Sequence, residues 1–243
     1  MNGPDVCRVL AWDSEFFGRR IARLTARRLD PALADEAVTW GKRHGIDCLY
    51  FLADADDPET AILAEAHGFR QVDVRLTLER PLEGPPAAAD TPDIVVRAAV
   101  AGDRAALRAL ARVSHRESRF YQDPAFPRSR CDDLYERWID NSLNGEADAV
   151  LVIDHRAAAV GYVSCQLRSE EEGAIDLLAV SARYQGRGWG RALLGASLSW
   201  FTARGRRRVS VVTQGRNARA RRLYEAGGFT TRGAELWYHR WFQ

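Results

Sequence analysis

The chain has 243 residues, of which 46% are hydrophobic and 28% charged, enough for one large or two modest domains. Its 35 basic and 33 acidic residues leave a formal charge of +2, which argues against a polyanion as obligatory partner and so against nucleic acid. The four cysteines, Cys7, Cys48, Cys131 and Cys165, lie far apart with no C-x-x-C pair and no histidine cluster, so no metal is expected.

In chain order, no apolar run reaches signal-peptide or membrane-span length, so the expected location is the cytoplasm, with the cysteines packed as small hydrophobes. An aromatic segment, Trp12-Asp13-Ser14-Glu15-Phe16-Phe17-Gly18, comes first. Residues 1–80 then read as helix, strand, helix, Gly-Phe turn and strand, and this order returns near the other end of the chain. Placing Trp40 on Trp200, an offset of 160, superposes Gly45 on Gly205, Leu63 on Leu223, Glu65 on Glu225, Ala66 on Ala226, Gly68 on Gly228, Phe69 on Phe229 and Leu76 on Leu236. The chemically distinctive positions differ, with Asp57 opposite Asn217 and Ala64 opposite Tyr224. The first unit is therefore expected to be a degenerate half-domain for support or substrate binding.

A Pro-, Gly- and Ala-rich stretch over residues 81–93 reads as a linker to a second unit, residues 94–243. That unit opens with a strand at Ile94 to Arg97, a helix from Asp103 to Val113, an irregular stretch from Ser114 to Pro127 and a helix from Asp132 to Leu143. Three strands follow, Ala149 to Ile153, Ala159 to Leu167 and Gly173 to Val180. A glycine loop, Gln185-Gly186-Arg187-Gly188-Trp189-Gly190-Arg191, then feeds a helix from Ala192 to Phe201. The strand Arg208 to Thr213, the helix Asn217 to Ala226 and a strand ending at Arg240 close the chain. The pattern predicts an α/β (α+β) fold with a mixed, mostly antiparallel sheet and flanking helices.

Three glycines where a strand meets a helix make an anion site, because the backbone bends sharply there and the first helical N–H groups face a phosphate. A nucleotide-hydrolase loop would end in Gly-Lys-Ser/Thr, and the single lysine, Lys42, is far away. A dinucleotide fingerprint would need G-x-G-x-x-G and an acidic residue at the end of the next strand, where Gln214 stands.

Taken with Asn217-Ala218-Arg219-Ala220-Arg221-Arg222-Leu223-Tyr224-Glu225-Ala226-Gly227-Gly228-Phe229, the loop resembles the GNAT superfamily of acyl-CoA N-acyltransferases. The resemblance implies a GNAT fold and acetyl-CoA as co-substrate. Its pyrophosphate would lie on Gln185, Gly186, Arg187, Gly188, Trp189, Gly190 and Arg191, and its pantetheine arm along Leu178, Ala179 and Val180 with a hydrogen bond from Asn217. The strand before the loop would diverge from its neighbour to admit the thioester. Tyr224 would protonate the departing thiolate, its reference pKa of ~10 lying above the ~8.5 of a thiol.

Trp12 to Gly18, the segment Ser118 to Pro127 and the ending Trp237 to Phe242 together resemble the branch of TDP-fucosamine acetyltransferases. That implies a small-molecule amine as partner, a dTDP-linked 4-amino-4,6-dideoxy sugar, with Phe17, Arg119 and Tyr121 in its site. For a base, Glu172 and Asp176 share strand parity and can face one amine. Asp13, Glu15, Asp123 and His239 are alternatives. Another GNAT acceptor (a protein N-terminus, polyamine or aminoglycoside) and a non-catalytic CoA-binding protein remain open readings. A homodimer is compatible with the sequence, and no membrane partner is expected.

Overall fold

The computed structural model describes residues 5–82 and 94–242, so the proposed linker, apart from Pro81 and Leu82, lies outside the described residues. The first unit contains β1 (Cys7–Val9), α1 (Ala11–Phe17), β2 (Ile21–Leu24), α2 (Pro31–Arg43), β3 (Cys48–Asp54), α3 (Pro58–Ala66) and β4 (Arg70–Pro81). The second begins with β5 (Val95–Ala98), α4 (Arg104–Val113), α5 (Arg119–Gln122) and α6 (Arg128–Asn141). It continues with β6 (Ala149–His155), β7 (Ala158–Leu167), β8 (Glu172–Val180), α7 (Trp189–Thr202), β9 (Arg208–Gln214), α8 (Ala218–Ala226) and β10 (Thr230–Trp241).

The ten strands among the described residues join one sheet in the order β1-β2-β3-β10-β4-β9-β8-β7-β6-β5. Among the described residues the pairings are antiparallel except β2 with β3 and β8 with β9. The sheet is thus mixed and mostly antiparallel, as the strand pattern predicts. Its order carries a further relation. The offset of 160 takes β3, α3 and β4 onto β9, α8 and β10 with identical bounds. The two sets interleave, β10 lying between β3 and β4, and β4 between β10 and β9. Arg75 stands opposite Glu235, its own counterpart under the offset, and the two form an ion pair that Arg27 joins.

Helices cover both faces. α7 buries Trp189, Ala192, Leu193, Ser197 and Phe201, the one-sided spacing of an amphipathic helix, against β6, β7 and β8. It lies close because Gly173 on β8 has no side chain; a Cβ there would come within 2.3 Å of the Phe201 ring. On the opposite face α4 and α6 bury Leu107, Leu110, Leu134, Tyr135 and Ile139, and are laced by Arg104–Asp140 and Arg112–Glu136 ion pairs. α2 and α3 cover the first unit, with Ala34, Ala37 and Ala64 against Phe51 and Phe69.

Three details depart from the sequence reading. Trp12 to Phe17 is helical and is ended by Gly18 at φ +62°. Arg119 to Gln122 forms one helical turn inside a stretch expected to be irregular. α6 starts right after Pro127, well before Asp132, because proline at a helix start is no obstacle.

Candidate active site

Midway along its length β8 leaves β9. The two pair in parallel from Glu172 and Arg208 to Ile175 and Val211, and no further. A bulge turns the strand: Val163 faces Leu178 and Cys165 faces Ile175, so Asp176 and Leu177 together oppose Ser164 alone. Ser164 Oγ accepts a hydrogen bond from the Leu177 N–H at 3.0 Å, which satisfies the group the bulge displaces. Further along, the Ser181 N–H donates to the Val160 carbonyl at 2.9 Å. Alternation then points the Ala179 N–H toward β7 as well, and the Leu178 and Val180 N–H groups into the opening that β9 has left.

That opening continues into a cleft of about 780 Å³. Its walls include Leu178, Ala179, Val180, Gln185, Gly186, Gly188, Trp189, Gly190, Arg191, Asn217 and Tyr224, so one cavity gathers these sequence candidates. Arg187 is not in the wall; its guanidinium lies 5.9 Å from the Tyr184 ring. The loop is shaped by Gly186 at φ +78° and Gly188 at φ +83°, conformations that side chains disfavour. Nothing lies within 4 Å of where a Cβ on Gly186 would be. No side chain caps α7 at Gly188, which leaves its first N–H groups for an anion. The Gln185 side-chain amide donates to the Val180 carbonyl at 2.8 Å and ties the loop to the end of β8.

Asn217 lies just outside α8 as its N-cap, and its side-chain oxygen accepts from the Ala220 N–H at 3.0 Å. Its counterpart Asp57 caps α3 through Thr60 in the same way. Tyr224 is 5% exposed, packs on Phe229, and has its phenol pKa pushed above the ordinary value by burial.

On the far side of Tyr224 is a second cavity of about 230 Å³, sharing His115, Leu178, Asn217, Ala220 and Tyr224 with the cleft. It also receives Asp73 and Arg75 from β4, Ser118, Arg119, Asp176 and Trp237. Arg119, Phe120, Trp138 and Trp237 then lead into a third space, a groove of about 420 Å³ reaching α1 and the β1–β2 edge. The three spaces are contiguous through shared walls, and Tyr224 stands where the first two meet.

Of the expected acceptor residues, Arg119 and Asp176 line the second cavity. The structure does not bring Phe17, Tyr121 or Glu172 there. Phe17 packs against Phe126 at 4.5 Å and Phe120 at 5.5 Å, as part of the core. Tyr121 is buried with its hydroxyl donating to Asp132 at 2.6 Å. Glu172 lies at the end where β8 and β9 still pair, bound by Arg208 at 3.2 Å and Ser210 at 3.1 Å.

The alternative bases are also placed elsewhere or committed. Glu15 is exposed and outside the three spaces, and Asp13 lies in the third. His239 is buried between two partners: Nδ1 contacts Asp123 at 2.6 Å and Nε2 contacts an Arg119 nitrogen at 2.7 Å. Nε2 therefore accepts from the guanidinium and Nδ1–H donates to the carboxylate. Burial lowers the His239 pKa to about 4, which keeps the ring neutral. Burial alone would raise Asp123, but bonds from His239 and Trp241 outweigh it and hold the carboxyl below its usual range.

Asp73 and His115 are site residues absent from the sequence reading, and Ser118 enters it only as the first residue of the segment Ser118 to Pro127. Asp73 is 3% exposed, and burial raises it to about 6 against the pull of the Val74 N–H, Arg216 and Arg119. Asp176 is raised by burial too, against its 2.9 Å ion pair with Arg168. His115 takes φ +53°, stacks on Tyr135 and meets the Tyr162 hydroxyl at 2.9 Å. Buried Ser118 Oγ has no hydrogen-bond partner among the described residues. Among the described residues no helix is long and apolar enough to cross a membrane.

Residues 110–229 match the model of the Acetyltransferase (GNAT) family. The chain is 35% identical over 140 residues, 58% of its own length, to the spore coat polysaccharide biosynthesis protein SpsD of Bacillus subtilis, and spans about half of that protein, 48%. It is 28% identical to the dTDP-fucosamine acetyltransferase of Escherichia coli, over 95% of this chain and 96% of that one. Among solved structures, a GCN5-related N-acetyltransferase from Sphaerobacter thermophilus superposes with a TM-score of 0.71 at 21% identity, covering 97% of this chain and 76% of that one. The family match spans β8 and β9, the glycine loop and α8, and residues 110–229 accordingly form an acetyltransferase domain of the GNAT family.

Proposed function

We propose that the protein transfers the acetyl group of acetyl-CoA to the primary amine of a nucleotide-linked amino sugar, a 4-amino-4,6-dideoxy sugar. The observation that carries this reading is the run of three contiguous spaces: a cleft under the glycine loop, a small cavity at Tyr224 that holds Asp73 and Asp176, and a groove lined by the first unit. Cofactor, amine and nucleotide are the three parts of such a reactant set, one for each space. The near-full-length likeness to dTDP-fucosamine acetyltransferase supports the same acceptor class.

The cleft fits coenzyme A on this chain's own features: open space beside Gly186, the uncapped start of α7, and strand N–H groups facing a gap. When bound, acetyl-CoA supplies an acetyl group activated as a thioester. Leu178 and Val180 N–H groups offer hydrogen bonds to a carbonyl oxygen in the gap, polarising it. Asp73 accepts the proton the amine must lose, a task suited to a carboxyl whose pKa burial raises to about 6. Tyr224 Oη gives its proton to the departing sulfur. Holding both reactants against Tyr224 contributes most, since orientation is worth up to ~7–11 kcal/mol in well-aligned cases.

A polyamine or aminoglycoside fits less well. Asp73 and Asp176 suit one ammonium group, but Arg75 and Arg119 stand beside them and Arg8 and Arg23 beyond, so a polycation meets repulsion. Thiol release from acetyl-CoA, measured with a dTDP-linked amino sugar, a polyamine, an aminoglycoside and an N-terminal peptide, tests the assignment. Turnover of the nucleotide sugar is expected to exceed the others by at least about tenfold in kcat/KM. Preference for any of the other amines rejects it.

A further inference from the structure

The groove beyond Trp237 has a charge balance that folding does not explain. Arg8 on β1 and Arg23 on β2 stand directly opposite one another in the antiparallel pair, so their side chains share a face and both line the groove. Like charges directly opposed across strands destabilise a sheet. Among the described residues neither guanidinium has a carboxylate within 4.0 Å, although Arg27 and Arg28 nearby both find one. Arg119 enters from the other side, held by faces of Tyr50, Phe120 and Trp237 each 4.2 Å from its guanidinium carbon, and the partner to which its side chain donates among the described residues, His239, is neutral.

Among the described residues Asp13 is the single carboxylate in the wall. Three guanidinium groups against one carboxyl leave an excess of two positive charges, the charge that the diphosphate bridge of a nucleotide sugar would offset. Mutual repulsion is felt within the cluster, since Arg8, Arg27 and Arg119 add to burial in lowering the Arg23 pKa. Tyr50, fully buried in the same wall, has a hydroxyl without a hydrogen-bond partner among the described residues. At the rim Trp12 is 41% exposed and stacks on Phe16 at 5.2 Å, in nearly parallel planes. An indole supported on one face and open to solvent suits a flat heterocycle.

We propose that Arg8, Arg23 and Arg119 form the subsite for the diphosphate of a nucleoside-diphosphate-linked acceptor, with Tyr50 as an added donor and Trp12 as the platform for the base. Guanidinium forks suit this ligand because each can give two parallel hydrogen bonds to phosphate oxygens. The assignment rests on the nucleotide-sugar reading above and names the residues that recognise the part of the acceptor distant from the reacting amine. It also gives the first unit a role: β1 and β2 supply two of the three cations.

The test is calorimetric binding of dTDP, inorganic pyrophosphate and thymidine to the full chain and to Arg8→Ala, Arg23→Ala and the double variant, with thermal melts alongside. The wild type is expected to bind dTDP at least about tenfold more tightly than thymidine, and pyrophosphate to compete with dTDP. Each single substitution is expected to weaken dTDP about tenfold or more, while thymidine and acetyl-CoA binding change less than twofold. Because relief of the opposed charges stabilises the β1–β2 edge, Tm is expected to hold or rise, which a merely structural arginine would not give. If the wild type binds dTDP and the double variant binds it equally well, this subsite is overturned and the nucleotide-sugar reading survives. If the wild type binds no dTDP, both are overturned.

Discussion

Tyr224 and Asp73 divide the proton work of the proposed reaction, and each can be tested with a change of one group. Tyr224→Phe keeps the ring that packs on Phe229 and removes only the proton donor, so acetyl-CoA affinity is expected to stay and kcat to fall roughly 10²-fold or more. A kcat within twofold of wild type, with chemistry rate-limiting, would reduce Tyr224 to packing. For Asp73, kcat/KM is expected to fall tenfold per pH unit below about 6, where the carboxyl takes up a proton, and Asp73→Asn is expected to remove that limb along with most activity. Persistence of the limb in the asparagine variant would assign it elsewhere. Stability carries a separate signature. His115 and His239 both have pKa values lowered to about 4 by burial, so between pH 4 and the usual 6.5 the unfolded chain binds more protons than the folded one. Stability from these histidines is lost as pH falls through that window; Asp73, raised to about 6, acts the other way between about 6 and 3.8. Asp13 and Asp176, also raised by burial, side with Asp73, and Asp123, held low, sides with the histidines; the two histidines carry the larger shifts, so Tm is expected to drop from pH 7 to 4.5, and a rise would contradict the neutral, buried assignment. Tyr224 was legible from its Asn217-to-Phe229 context. Asp73 was not: with Val72, Val74, Leu76 and Leu78 on one parity, Asp73, Arg75 and Thr77 read as a solvent face, and only the second unit packing over that face buries it.

At the scale of elements, the strand β8, its bulge and the α7 start make the cofactor cleft together. Three glycines between a strand and a helix already announced an anion site in the sequence, since no other residue takes φ +78° and +83° so readily. The bulge was hidden, because Ser164, Asp176 and Leu177 are ordinary strand residues and the extra residue shows only in the register with β7. Short helices were hidden as well: α1 and α5 are too short to display a helical period. Gly188→Val places a β-branched side chain at φ +83° where the first N–H groups of α7 face the cleft. Acetyl-CoA affinity is expected to fall at least about tenfold by titration calorimetry, with the far-ultraviolet spectrum retained. Unchanged affinity would move the pyrophosphate away from this loop.

The whole molecule is held by an exchange of strands between its two units. β10 pairs with β3 on one side and β4 on the other, and β4 reaches β9, so neither unit keeps its own strands together. The internal repeat was visible in the sequence as an offset of 160, but matching residues give no sign of which strands interleave. Unfolding is therefore expected as one cooperative transition, with tryptophan fluorescence and circular dichroism coincident across denaturant. Two separated transitions would mean two independent domains. The same interleaving draws Asp73 and Arg75 of β4 into the second unit's cavity and carries β1 and β2 to the outer groove, so the acceptor path depends on both units. On the proposed function, this path recognises an amine through the nucleotide attached to it. The most direct measurement is kcat/KM for one 4-amino sugar presented free and linked to dTDP, at saturating acetyl-CoA, with the product's acetamide located by NMR. Acetylation at the amine and a preference for the linked form of about a hundredfold or more are expected; equal kcat/KM for the two forms would overturn recognition through the nucleotide.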